Sequence, residues 1–144
     1  MSTNDPFELG RFLDAQEERF DDALAELRAG RKRTRWMWFV FPQYSGLGSS
    51  PASVHYAVRS LAEASAYLAH PVLGPRLEAC TYAVLDHPDR SLEAIFGPVD
   101  ALKFQSSMTL FELVAGMASP WARALDCCCA GARDTRTLAL VRGG

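Results

Sequence analysis

Arg31-Lys32-Arg33-Thr34-Arg35-Trp36-Met37-Trp38-Phe39-Val40-Phe41-Pro42-Gln43-Tyr44 is the stretch on which the fold class turns. Four cationic side chains run into six consecutive apolar ones, and a proline and an amide close the run. Periodicity does not type Trp36–Phe41, because both faces are apolar. Pro42 pushes Phe41 toward an extended conformation, so regular helix stops there. The segment has to be placed by its surroundings, and these read as helical on both sides.

Upstream, Asp5-Pro6-Phe7-Glu8 has the composition of a helix start. Asp5 can cap, Pro6 suits the first helical position, and Glu8 stands where a capping box places a carboxylate. Leu9, Phe12, Leu13, Phe20, Leu24 and Leu27 follow at helical spacing, and Gly30 is a C-cap. The spacing predicts one long helix ending at Gly30. Downstream, Ser45-Gly46-Leu47-Gly48-Ser49-Ser50 is a loop whose glycines allow close backbone approach to a ligand. Ser50-Pro51 starts a second helix with Val54, Ala57, Val58 and Leu61 as its apolar face, and the Ser60–Glu63 capping box starts another, broken at His70-Pro71. Further helices follow over 71–85 (Leu73, Leu77, Cys80, Ala83 and Val84 inward), 91–96, 98–116 (Leu102, Met108, Phe111 and Ala115 apolar), from Ser119-Pro120 to Gly131, and after an Asp134 cap. No segment alternates as a half-buried strand would. The predicted architecture is all-α: a compact single domain over 1–144 with about eight helices of unequal length, and flexible ends at 1–4 and 142–144.

Composition narrows the function classes. A chain of 144 residues fits one domain, and its 49% apolar fraction argues against disorder. The formal net charge of −2 gives no support for dedicated nucleic-acid binding, so any anion binding comes from a local patch. Cys80 and the run Cys127-Cys128-Cys129 match neither a secreted disulfide framework nor a zinc spacing, and read as reduced thiols of a cytoplasmic protein. The amino end carries no signal-peptide pattern, and Trp36–Phe41 is too short to span a bilayer, so no membrane is expected. No cofactor motif is present, and His55, His70 and His87 are scattered without metal-ligand spacing; no cofactor and no metal are expected.

Several phrases are family-like. Asp5-Pro6-Phe7, Arg31-Lys32-Arg33 with Trp36-Met37-Trp38-Phe39 and Phe41-Pro42-Gln43, His70-Pro71-Val72-Leu73-Gly74, Asp100-Ala101-Leu102-Lys103 with Ser106-Ser107-Met108-Thr109-Leu110-Phe111, and Gly131-Ala132-Arg133-Asp134 with Thr137-Leu138 resemble the domain of unknown function 1810 family, sometimes mislabelled calpastatin. The resemblance covers nearly the whole chain. It implies a compact, mainly helical bacterial protein and no established activity. The chain departs from the family pattern at Arg35, where the family usually has His before Trp-Met-Trp, and at Cys127–Cys129, where bulkier aromatic residues are usual.

Three groups could carry chemistry. Arg33 and Arg35, with Lys32 and Arg31, suit phosphate or carboxylate, and Trp36 or Trp38 suits stacking; the plain alternative is helix-end cations beside core tryptophans. Gln43 and Tyr44 open the loop and suit recognition of an amide or a base edge, or else hold loop backbone. Asp100, Lys103 and Ser107 fall on one helical face with Ser106 beside it. Asp100 opposes a base role for Lys103, so this group reads as an anion holder or as a pin on the basic loop through Asp100. The expected ligand site is Arg33, Arg35, Trp36, Trp38, Gln43, Tyr44, Lys103, Ser106 and Ser107, taking a small anionic nucleotide- or phosphosugar-like compound. If catalytic, such a site would favour hydrolysis or transfer at a polarised bond. The rival expectation is a protein-interaction or structural module that exposes Trp36–Tyr44 as an apolar patch.

Overall fold

The computed structural model describes residues 5–143. The fold is all-α, with ten helical segments among the described residues: α1 (Gly10–Glu17), α2 (Phe20–Arg28), α3 (Met37–Val40), α4 (Pro51–His55), α5 (Leu61–Ala69), α6 (Leu73–Leu85), α7 (Leu92–Phe96), α8 (Pro98–Ala115), α9 (Pro120–Cys128) and α10 (Thr135–Gly143). A parallel bridge between Tyr44 and Val58 interrupts the helical pattern. Residues 1–4 and 144, expected as flexible ends, lie outside the described residues. Arg142 and Gly143, expected in the same tail, belong to α10.

The expected long first helix is two helices. Asp5 caps it at a distance: its carboxylate accepts from the Leu9 and Gly10 backbone N–H groups at 2.7 and 2.9 Å. Pro6 is therefore outside the helix, and Glu8, the presumed capping-box residue, has a left-handed φ of 54°. A second break follows at Glu18 and Arg19. No helix breaker stands there; α1 packs on α3 while α2 packs on α6, and the break lets each half follow its own neighbour. The far end matches expectation. Gly30, at φ 78°, donates to the Leu27 carbonyl, and Arg31 N–H donates to the Glu26 carbonyl, a Schellman closure that a residue with Cβ would strain.

Sequence-local caps hold elsewhere. Ser50, Ser60, Ser91 and Ser119 each accept from the backbone N–H three residues on, starting α4, α5, α7 and α9. The expected inward faces hold on α6, where Leu73, Leu77, Cys80, Ala83 and Val84 are all buried. They fail on the short α4, where Val54 is exposed, and on α8, where Leu102 is exposed. The reason on α8 is its central position: it packs on α5, α7, α9 and α10. Ser106 to Phe111 are buried without interruption. A helix enclosed this way has no single apolar stripe to read.

An aromatic cluster joins α3 to α7 and α8. Phe41 lies 5.1 Å from Phe104 and 5.9 Å from Phe96 between ring centroids, and Trp36 lies 6.2 Å from Phe41. Each such side chain contributes roughly 1.5–3 kcal/mol on burial, enough to outweigh the weak helical tendency of a β-branched and aromatic run. The chain also comes very close to itself at Gly74, where an added Cβ would collide with the Leu68 carbonyl oxygen.

Arg11 ties α1 to the segment between α4 and α5. Its guanidinium donates to the carbonyls of His55 (2.8 Å), Ala57 (2.8 Å), Phe7 (2.7 Å) and Glu8 (2.9 Å), and to the Glu63 carboxylate (2.6 Å). All five N–H groups are used, and the Glu63 side chain is 2% exposed. Arg11→Met leaves that buried carboxylate with the more distant Arg59 side chain at 3.7 Å and the Arg59 N–H at 3.1 Å, and is expected to cost about 2–3 kcal/mol in urea unfolding. Arg11→Lys recovers little of it, because an ammonium does not reproduce the planar fork. A loss below about 1 kcal/mol for Arg11→Met would show that the network is not a stabilising anchor.

Candidate functional site

The basic run is held by a carboxylate. Glu26, in the last turns of α2, accepts from Arg33 N–H (2.7 Å), Thr34 N–H (3.0 Å), the Thr34 hydroxyl (2.7 Å) and the Trp36 indole N–H (2.9 Å). Burial would raise the Glu26 pKa, but these four hydrogen bonds to the charged form outweigh it and hold the carboxyl at about 2. The next anchor is Lys32, whose N–H donates to the Ile95 carbonyl at 2.7 Å and whose ammonium donates to the Thr34 carbonyl at 2.6 Å. The backbone that presents Arg33 and Arg35 is therefore rigidly tethered, while both side chains are exposed.

Asp100, in the first turn of α8, bridges two lysines. Its oxygens lie 3.0 Å from Lys32 Nζ and 3.2 Å from Lys103 Nζ. This pins the basic loop to α8 through Asp100. Lys103 Nζ also sits 4.7 Å from the centre of the Trp38 ring, a cation–π placement.

Beyond Trp38 the structure opens into a pocket of about 200 Å³. Three pieces of chain build it. The first is Gln43 and Tyr44 with the Gly46–Gly48 loop, held to Val58 by the Val58 N–H to Gln43 carbonyl bond (2.9 Å) and the Ser45 N–H to Val58 carbonyl bond (2.8 Å). The second is Ser53, Tyr56 and Ala57, whose backbone Arg11 grips. The third is Val99, Leu102, Lys103 and Ser106 of α8, with Arg136 reaching in from α10. Two cations line the pocket, Lys103 and Arg136, and no carboxylate does. The Gln43 amide and the Tyr44 and Tyr56 hydroxyls have no hydrogen-bond partner among the described residues. The Trp38 Nε1–H is buried and likewise unpartnered.

Of the nine expected site residues, five line this pocket: Trp38, Gln43, Tyr44, Lys103 and Ser106. Arg33 and Arg35 line an adjoining cleft with Lys32, Thr34, Met37 and Asp100, and Trp38 is the wall common to both. Two expectations are corrected. Trp36 is fully buried and spends its indole N–H on Glu26, so it is core and not a stacking platform. Ser107 is fully buried with an unpartnered hydroxyl, because the face of α8 that it shares with Met108 and Phe111 turns into the core. Ser106 borders the pocket, but its hydroxyl is engaged with Asp134 Oδ2 (2.9 Å) and the Leu102 carbonyl (3.1 Å). Asp134 in turn caps α10 by accepting from Thr137 N–H at 3.2 Å.

Sequence reasoning missed Arg136 and Tyr56. Arg136 carried a readable signal: a cation in the first turn of a helix opposes the helix dipole and calls for another reason to be there. Tyr56 carried none, since nothing in a single sequence places the segment after α4 against α8. The cysteines stay outside the pocket. Cys80 is buried, and burial pushes its thiol up to about 12. Burial, with the neighbouring Cys128, does the same to Cys129. His70 Nδ1 accepts from Val72 and Leu73 N–H at the start of α6, and His87 Nε2 lies 2.9 Å from the Leu27 carbonyl, both local structural duties.

Comparison with known proteins adds two findings. The family model described as a protein of unknown function, DUF1810, matches residues 6–141. The crystal structure of the conserved hypothetical protein Rv1873 from Mycobacterium tuberculosis is similar at a TM-score of 0.93 and 51% sequence identity, over 96% of this chain and 99% of that one. The curated proteins offer no match.

Two outcomes follow from the geometry. Glu26 has a folded pKa of about 2 against an ordinary value of 4.5, so its contribution is fully present above 4.5 and is lost as pH falls from 4.5 toward 2. Discounted for its partial exposure, the contribution is about 1–2 kcal/mol. The wild-type advantage over Glu26→Gln in chemical denaturation should shrink across that window; an advantage independent of pH there would refute the assignment. Ser107→Ala removes a buried hydroxyl without a partner, and is expected to leave stability unchanged or raise it by up to about 1 kcal/mol. A loss above about 1 kcal/mol would mean that the hydroxyl has a bonded role.

Proposed function

We propose that this chain, which belongs to the DUF1810 family of proteins of unknown function, binds a small anionic phosphosugar- or nucleotide-like ligand in the pocket between Gln43–Gly48 and α8. The observation that carries the reading is a convergence of cations: Lys103, paired with Asp100 on its far side, and Arg136, in no ion pair with a described residue, line one concave pocket that no carboxylate lines. Cations converge in this way where an anion is to be held. The uncommitted Gln43 amide and Tyr44 and Tyr56 hydroxyls suit sugar hydroxyls or a base edge. Lys103, ion-paired on one side and lying over a ring on the other, is held in place as a binding cation.

Binding is the core of this reading, and hydrolysis is a lesser extension of it. Ser106, the α8 hydroxyl that lines the pocket with Lys103, is committed to Asp134. We read the protein as a cytoplasmic bacterial binder with no dedicated nucleic-acid or membrane role; no helix among the described residues is long and apolar enough to cross a membrane. The rival reading, an interaction module displaying Trp36–Tyr44, loses its main support because Trp36, Phe39 and Phe41 are buried and Trp38 lines the pocket.

A thermal-shift screen with nucleotides, ADP-ribose and sugar phosphates tests the proposal. A ligand at about 100 times its Kd adds about 2.7 kcal/mol, which raises Tm by several degrees in a chain of this size. The shift should disappear in Lys103→Ala and weaken in Arg136→Ala. No shift with any of these compounds, or a shift undiminished in both variants, would overturn the reading.

A further inference from the structure

The pocket is small for the ligand class it is read to take. At about 200 Å³ it is below the roughly 300–1,000 Å³ typical of sites for whole small molecules. It has room for one sugar- or phosphate-sized moiety, so the rest of a larger ligand must lie outside. One direction is prepared for it. The cleft of Lys32, Arg33, Thr34 and Arg35 adjoins the pocket, with the Trp38 ring as the shared wall.

Three features distinguish that cleft from a solvated basic surface. The Arg33 and Arg35 guanidiniums form no ion pair with any described residue, although Glu26 holds the chain between them through the Arg33 and Thr34 N–H groups and the Thr34 hydroxyl. Anchored backbone lowers the ordering cost of engaging an anion, whereas a merely solvated charge does not require it. Asp100 joins the two depressions, with one oxygen on Lys32 of the cleft and the other on Lys103 of the pocket, so the two cationic groups are set side by side across one carboxylate. The wall itself, Trp38, has a buried indole N–H with no partner.

We infer that the cleft is a second anion subsite of the same site, and that the ligand class is a bis-anionic compound, a sugar bisphosphate or a nucleoside bisphosphate, with one phosphate on Lys103 and Arg136 and the other on Arg33 and Arg35. This rests on the proposed binding function. The guanidinium forks of the cleft suit a phosphate terminus, and the Trp38 edge sits between the two phosphates.

Calorimetric titration with matched pairs tests it: fructose 6-phosphate against fructose 1,6-bisphosphate, and adenosine 5′-monophosphate against adenosine 3′,5′-bisphosphate. The bisphosphate of at least one pair should bind about tenfold or more tightly, the equivalent of about 1.4 kcal/mol. The double variant Arg33→Ala/Arg35→Ala should bring the bisphosphate down to the affinity of the monophosphate and leave the monophosphate unchanged. Arg28→Ala/Arg31→Ala, which removes two exposed arginines outside the cleft, should preserve the difference. Equal affinity for mono- and bisphosphate, or equal weakening by both double variants, overturns the second subsite and leaves the pocket reading standing. No binding of any of the four compounds, with Lys103→Ala identical to wild type, overturns the pocket reading and the subsite with it.

Discussion

Burial of both faces of Trp36–Phe41 is the constraint around which this molecule is arranged. An amphipathic helix hides one face; a segment in which Trp36, Met37, Phe39, Val40 and Phe41 are all buried needs neighbours on every side. The chain meets this with a single turn of helix threaded through the core and enclosed by other elements. Threading backbone through a core leaves polar groups to satisfy, and two of them are met by specific side chains. The Phe39 carbonyl accepts from the buried Gln16 amide at 2.6 Å, and that amide also reaches the Tyr67 hydroxyl at 3.0 Å. The Trp36 indole finds Glu26, and the chain just before it is held by Ile95. Gln16 is a polar side chain only 1% exposed, and its amide is spent on the central segment.

The same constraint positions the pocket. Five of the six apolar residues turn inward and Trp38 is left at the boundary, its ring walling the pocket on one side and the basic cleft on the other. The chain leaves the core at Pro42, pairs briefly with Val58, and turns through the glycine loop. Leu140 of α10 packs against Gly46, whose φ of 101° and lack of a side chain let the two meet. Asp134 holds α10 on α8 through Ser106 and accepts the Thr137 N–H and hydroxyl in the first turn of the helix. Arg133 adds a two-pronged pair to Glu112 and a 2.8 Å contact to Asp126, so the start of α10 is fastened to α8 and α9 together. Arg136 enters the pocket from a helix start held by these contacts.

Much of this was legible in the sequence. The all-α class, the Gly30 closure, the serine caps, the inward face of α6 and the stop at Gly97 rest on interactions within a few residues, and short-range rules reach them. Trp38, Gln43, Tyr44, Lys103 and Ser106 were legible as residue types that a site uses, and the fold brings them to one pocket. The break at Glu18–Arg19 was not legible, because helix-forming residues fill it and the cause is the packing of α1 and α2 on different partners. Ser107 was misread for a related reason: helical spacing groups it with Lys103 but does not say how far round the buried arc extends.

By itself the sequence determined the helix ends that carry a local cap or stop, that the segment after the basic run had to be core, and which residue types a site would use. Caps, proline stops and apolar runs act on their immediate neighbours, so one chain read alone contains them. The tertiary structure decided which of those residues meet. Arg136 and Leu47, 89 positions apart, come within 3.3 Å, and Arg11 and Glu63, 52 apart, form a buried pair. Such convergence is set by how helices pack around a common core, and no local rule contains the distance between elements that touch only once the whole chain has folded.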